Sequence, residues 1–189
     1  MLADEQGVAT SMGKYYDLPV FGLGGATDSK VLDGQCAAEA ALSLFTAHLN
    51  GANIIHDCGF MDAGMQGSLQ LMAFTDDLIG FIRAATRPVE INPETLALDL
   101  IEDLGPSGDY LSSEHTYRHF REPYYSRLAD KRQYDDWLEQ EGSTLEERAA
   151  EQVDEILADH RAEPLTEDVR DRLQQIVARE QNQTEEGES

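Results

Sequence analysis

Two short apolar runs near the start of the chain each break off into glycine and ionisable side chains. Val20-Phe21-Gly22-Leu23 runs into Gly24 and Gly25, then Asp28, Lys30, Asp33 and Gln35. Ala52 to Ile55 runs into His56, Asp57 and Cys58. An apolar run of about four to six residues bounded by Gly or Pro is the pattern of a strand buried in a parallel sheet. The stretch between them, Cys36 to Asn50, is nearly uncharged and reads as a helix. Strand, helix and strand make a βαβ unit, and ligands of such sheets sit at the carboxyl ends of the strands. The pattern therefore places candidate chemistry on the polar residues that follow each run.

The rest of the pattern is helical. Leu2 to Asp17 reads as an amphipathic helix feeding the first strand, so the domain opens in mid-alternation, as the later part of a larger α/β fold would. Phe60 to Gly67 is a Gly/Met-rich loop. Ser68 to Thr86 is a long helix whose apolar positions Leu69, Met72, Leu78, Ile79, Phe81 and Ile82 cover more than one face, which predicts that it is largely buried. Pro88 stops it. Asn92 then caps a helix with Pro93 at its first position, running to Leu104, and Gly105-Pro106-Ser107-Gly108 breaks it. Asp109 to Leu111 is expected to be a very short strand, and Ser112 opens a short helix, SSEHTYRHFRE. Helices follow over about Leu145 to His160 and, after Pro164, Thr166 to Glu180. The fold class is α/β, built of the parts found in the last third of a (β/α)8 barrel with a helical C-terminal extension. A whole barrel needs about 250 residues. The expected organisation is a partial barrel over 1–125, a helical extension over 126–180 and a disordered acidic tail, QNQTEEGES, over 181–189.

Charge narrows the function classes. The 189 residues hold 37 acidic and 14 basic side chains, a net charge of -23. Nucleic acid and anionic membranes select Lys and Arg, so neither is an expected partner. No apolar stretch approaches about 18 residues, and MLADEQG lacks the features of a signal peptide. Cys36 and Cys58 suggest no disulfide framework and fit a reducing, cytoplasmic compartment.

The candidate groups each carry two readings. In GGATDSKVLDGQ, Gly24 and Gly25 allow a tight turn past the strand, and Asp28, Lys30 and Asp33 crowd a short loop. That is either a substrate or cofactor loop or a helix cap (Asp28 or Asp33) beside an exposed lysine. It is neither a GxGxxG fingerprint nor a P-loop. In IIHDCGF, His56 and Asp57 form either a general acid/base or a histidine satisfied by backbone. In EHTYRHF, His115 and His119 stand at i, i+4 with Glu114 alongside, a spacing that can hold zinc. HExxH is absent and no third ligand is obvious, so no metal is expected. The aromatic and basic stretch FREPYYSRLADKRQYDDW is either a packing segment that clamps the C-terminal helices or a partner-protein surface.

Four segments together resemble the trimethylamine methyltransferase family of MttB-type corrinoid methyltransferases: YYDLPVFGLGGATDSKVLDGQ, GANIIHDCGF, EHTYRHFREPYY and LADKRQYDDW. The likeness runs in order from about Tyr15 to Arg179. It implies the C-terminal portion of a (β/α)8 barrel that moves a methyl group from a methylated amine, trimethylamine or a quaternary amine such as glycine betaine, to the cobalt of a partner corrinoid protein. By the resemblance and the strand-end positions, Asp28, Lys30, His56 and Asp57 are the expected catalytic residues. Gly24, Gly25, Asp33, Gln35, Glu114 and His115 are the expected binding residues, and Asp28, Asp33 and Asp57 would supply carboxylates to a cationic ammonium. The family's trimethylamine-specific members carry pyrrolysine; none is written here, which favours the betaine-like branch unless the reading frame begins after an in-frame amber codon. The expected partners are the corrinoid protein, the amine, and a second copy or a missing N-terminal half. The alternatives are an inactive fragment or helper subunit of a split enzyme, and another barrel enzyme using His56 and Asp57 as acid and base.

Overall fold

The computed structural model describes residues 3–187, and the side chains of residues 5–179. The chain forms two compact units, Met1–Asp154 and Glu155–Ser189.

The first unit is organised around one βαβ crossover. Helix α1 (Ala3–Tyr15) leads into strand β1 (Phe21–Leu23), helix α2 (Gly34–Asn50) and strand β2 (Ile54–His56). β1 and β2 pair in parallel, with Phe21 opposite Ile54, Gly22 opposite Ile55 and Leu23 opposite His56. The crossover is well punctuated. Asp33 accepts the Cys36 N–H at 2.9 Å as N-cap of α2, and Gly51 closes the helix in the left-handed region at φ 73°. Gly24 has to be glycine for space: a Cβ there would meet Ile55 Cγ2 at 2.8 Å. Gly25 has to be glycine for conformation, at φ 81°.

The core lies between α2 and helix α3 (Leu69–Thr86). Cys36, Ala40, Leu71, Phe74 and Met61 are buried there, joined by Leu128 and Ala149. Small side chains on α2 (Cys36, Ala40, Ala47) are buried with Leu44. α3, expected to be largely buried, is only partly so. Its buried side is Leu71, Phe74, Thr75 and Asp77, while Leu69 and Met72 are each 51% exposed.

Other elements also differ from the sequence reading. Phe60 to Gly67 is an antiparallel hairpin rather than a loop, β3 (Phe60–Met61) with β4 (Gln66–Gly67), turning through a 3₁₀ segment at Asp62–Gly64. The helix expected over Pro93 to Leu104 is cut at Ala97, which sits at φ 47° between α4 (Pro93–Leu96) and α5 (Leu98–Leu104). The cap at its start is as expected: Asn92 accepts the Thr95 N–H and Thr95 accepts the Asn92 N–H. Asp109 to Leu111 is a turn and not a strand. Asp109 Oδ1 accepts from the N–H groups of Leu111 and Ser112, and the Tyr110 carbonyl is taken by Ser113 and Thr116, so the Leu111 donor and the Tyr110 acceptor that a ladder would use are already engaged.

After α6 (Glu114–His119), the aromatic and basic stretch packs as a clamp. The buried Asp77 carboxylate accepts from the Tyr124 hydroxyl, the Ser126 hydroxyl and the Arg127 N–H. Burial first, and then the Asp77 carboxylate, push the Tyr124 phenol up to about 12. Beyond α7 (Tyr134–Glu139), helix α8 (Leu145–Asp159) is tied back by Arg148 Nε donating to the Leu128 carbonyl at 2.7 Å.

The second unit holds the end of α8 and helix α9 (Glu167–Gly187). α9 carries residues 181–187 of the expected tail as helix; residues 188–189 lie outside the described residues. No helix among the described residues is long and apolar enough to cross a membrane.

Candidate active site

The loop after β1 and the start of the loop after β2 are laced together from the backbone outward. Gly24 N–H donates to the His56 carbonyl at 3.0 Å, and Thr27 N–H donates to the Phe60 carbonyl at 3.0 Å. The carboxyl ends of both strands thus share one polar face, as the βαβ pattern predicts. The sequence reading missed what holds that face, which is Glu39. From the first turns of α2 it accepts the Thr27 hydroxyl at 2.6 Å and the Asp28 N–H at 2.8 Å on one oxygen, and Gln35 Nε2 at 2.9 Å on the other. The Thr27 hydroxyl, followed by the Asp28 N–H, holds its carboxyl below the usual range. A signal was present: Glu39 is the lone acid in an otherwise uncharged helix, four residues after Gln35.

The remaining predicted residues take distinct places. Asp33 is the cap, its carboxyl held low by the Cys36 N–H and then the Ser29 hydroxyl. Of the alternatives Asp28 and Asp33, the cap is therefore Asp33, which leaves Asp28 exposed on the loop. Lys30 Nζ donates to the Asp28 carbonyl at 2.7 Å and lies 3.2 Å from Asp62 Oδ1 of the hairpin. Both of those side chains are exposed, so the pair contributes little to stability. Asp62 itself was not singled out by sequence reasoning, and its Asp-Ala-Gly turn is the only signal for it. Gln35 is committed to Glu39.

His56 and Asp57 form a pair. His56 Nδ1 is 2.7 Å from Asp57 Oδ1, and the His56 ring meets the exposed Phe21 ring edge-on at 5.7 Å. Asp57 sits at φ 74°, a strained backbone position for a residue with a Cβ, next to Cys58 and Gly59. Such a pair can fix a tautomer, leaving Nε2 to take or give a proton. The Cys58 thiol is directed at the Gly24 carbonyl at 3.4 Å, and burial pushes it up, as it does Cys36; both are packing thiols.

Glu114 and His115 do not join this face through any hydrogen bond or ion pair among the described residues. Glu114 is exposed in the first turn of α6. His115 belongs to a separate cluster with His119 and Glu94. The strand-end face therefore gathers Gly24, Gly25, Asp28, Lys30, Asp33, Gln35, His56 and Asp57, with Glu39 and Asp62 as its supports.

Comparison with known proteins sets this geometry in a family. A family model for trimethylamine methyltransferase (MTTB) matches residues 3–185. Trimethylamine methyltransferase MttB of Desulfitobacterium hafniense (strain DSM 10664 / DCB-2) is 34% identical over 171 residues, covering 90% of this chain and 34% of that protein. Trimethylamine methyltransferase MttB2 of Methanosarcina mazei is 28% identical over 93% of this chain and 36% of its own length. A glycine betaine methyltransferase of Desulfitobacterium hafniense (strain Y51) is 29% identical over 90% of this chain and 36% of its own length. The chain thus spans about a third of the length of these curated relatives. With nearly every described residue inside the match, the chain belongs to the trimethylamine methyltransferase (MTTB) family.

Proposed function

We propose that this chain is the C-terminal portion of a (β/α)8-barrel methyltransferase that moves a methyl group from a methylated amine to the cobalt of a partner corrinoid protein. The observation that carries the reading is the parallel β1–α2–β2 unit, whose strand ends share one polar face, in a chain matched by the family model along nearly its whole length. The amine is trimethylamine or a quaternary amine such as glycine betaine, the substrates named for the relatives.

The corrinoid, when its carrier protein docks, supplies a strongly nucleophilic metal centre that accepts the methyl group. The fit asked of this chain is an accessible strand-end face, and the His56 and Asp57 side chains there are 43% and 33% exposed. Asp57 and Asp28 present carboxylates to a cationic ammonium, and the exposed Phe21 ring beside His56 offers an aromatic face. Asp33 and Gln35 serve indirectly: one caps α2 and the other braces Glu39. A quaternary amine needs no proton for its leaving group. A tertiary amine is activated by a proton on nitrogen, and the His56–Asp57 pair is the group placed to hold one. The same pair supports a second reading, an acid/base barrel enzyme of another class.

The test is methyl transfer from glycine betaine and from trimethylamine to reduced corrinoid protein, followed in the visible spectrum, with this chain joined to the remainder of an enzyme of the relatives' length. The expected result is conversion of the reduced corrinoid with one amine, reduced at least tenfold by Asp57→Asn. No conversion with either amine would favour the acid/base reading.

A further inference from the structure

The segment from about 89 to 122 has an unusual basis for its order. Helices α4, α5 and α6 contain no buried residue. What holds α6 to α4 is polar. His115 Nε2 lies 2.8 Å from the Glu94 carbonyl oxygen, and His119 Nε2 lies 3.0 Å from Glu94 Oε1. The two imidazoles stand one turn apart on α6 with ring centroids at 4.4 Å. Both Nε2 atoms therefore face one residue contributed by another helix.

We propose that Glu94, His115 and His119 form a binding site for a divalent transition-metal ion of the zinc class, separate from the strand-end face. One ligand atom from each lies within 4.8 Å of the others. Two imidazole nitrogens and one carboxylate are the ligand set of three-ligand zinc sites, and they favour zinc, copper or nickel over magnesium or calcium. Glu122 supplies the outer support. Its Oε1 accepts from His119 Nδ1 at 2.5 Å, so Nδ1 keeps its proton as the outer donor and Nε2, on giving up the proton it shares with Glu94 Oε1, is the nitrogen that ligates. A rival already holds the carboxylate: Arg118 NH1 is 2.8 Å from Glu94 Oε1. Both side chains of that pair are about half exposed, so the guanidinium leaves without abandoning a buried charge. Each Nε2 must be free of its proton to ligate, so ion entry releases protons. The ion would cross-link two helices that contain no buried residue. The sequence supplies the His115–His119 spacing; the third ligand, Glu94, arrives only through the fold.

The experiment is calorimetric titration of zinc chloride into the chelator-treated full chain, with cobalt(II) chloride as a spectroscopic probe. The expected result is one site per chain. Affinity should fall at least tenfold in Glu94→Gln and in His119→Ala, about tenfold in Glu122→Gln, and stay unchanged in His56→Ala. Cobalt(II) should give visible d–d bands without a thiolate charge-transfer band, and zinc should raise the melting temperature of the parent chain but not of Glu94→Gln. Circular dichroism of each variant at the parental intensity confirms that folding survives. No stoichiometric binding, binding undiminished in Glu94→Gln and His119→Ala, or a thiolate band would each overturn the proposal, leaving an ion-pair network.

Discussion

The strand-end face and the Glu94–His115–His119 cluster are both polar constellations, yet they are fixed by different means. The first sits on packed side chains. Its loops spring from β1 and β2 and are capped by Asp33 on α2, whose Cys36 and Ala40 are fully buried against the core. The second is held by hydrogen bonds between exposed short helices with no buried residue of their own. The difference teaches where each should fail. The strand-end face should yield to lost apolar volume, and the cluster should yield to pH, salt or a competing cation.

The most severe way to test that contrast is Leu71→Ala. Leu71 is fully buried in the cluster with Cys36 and Phe74, under the face rather than in it. Truncating a buried leucine costs about 2–5 kcal/mol, from lost transfer energy and the cavity left behind. Urea unfolding should show that loss, whereas Glu94→Gln should change the midpoint far less. Equal effects would mean that the exposed helices are as deeply integrated as the core.

Next in size is Asp33→Ala. It removes the acceptor for the Cys36 N–H and for the Ser29 hydroxyl, uncapping α2 where the candidate loop ends. An N-cap of this kind contributes about 1 kcal/mol. The loss should appear in urea melts and should be accompanied by faster amide exchange at Thr27 and Asp28. Asp33→Ser, which keeps an acceptor, should recover most of it.

These two variants also mark how much was legible beforehand. The βαβ unit was readable because its cues are local: an apolar run, glycines that must be glycine, a capping aspartate and a helix of small residues. Eight of the residues drawn from those two loops do share one face, and Gly24 is bonded directly to the backbone of His56. Glu39 was readable in principle, as one charge in an apolar helix. Glu94 was not, because it meets His115 across 21 residues and His119 across 25, through the geometry of a break at Ala97 that no residue type announces. The expected strand at 109–111 failed for a related reason: Asp109 and Ser113 offered side-chain partners to backbone that a ladder would have used. The resemblance supplied the family, and Asp28, Lys30, His56 and Asp57 keep their roles as proposals on that basis.

Ala97 gives a smaller effect of opposite sign. Its φ of 47° places a Cβ in the left-handed region, at the joint between α4 and α5. Relief of that strain in Ala97→Gly is worth about 1–2 kcal/mol, against an unfolded-state entropy gain of about 0.4–1 kcal/mol. The net expectation is stabilisation of about 0.5 kcal/mol, read as a slightly higher urea midpoint. A lower midpoint would mean that the joint needs the methyl group, and would weaken the view that this region rests chiefly on polar contacts.

The least costly test is pH. His119 is flanked by Glu94 and Glu122, and their hydrogen bonds, that of Glu94 first, raise its pKa above the ordinary value of 6.5. Glu94 is correspondingly held low, first by its bond to His119 and then by Arg118, with His115 adding a further favourable charge. The signs follow from linkage. A histidine whose folded pKa is raised stabilises the fold fully below its unfolded value, and that contribution is lost as pH rises through the folded value. A carboxylate held low stabilises above its unfolded value and loses that contribution as pH falls through the folded one. The ion cluster is therefore strongest from about pH 5 to 6, above the titration of Glu94 and below that of His119. Because the groups are exposed, global stability should barely change, and the sensitive reading is the His119 ring resonance by NMR, titrating above the free value in the parent and moving back toward it in Glu94→Gln. A His119 that titrates at its free value in both would show that the two regions do not differ in this way, and that Glu94 and His119 meet without coupling.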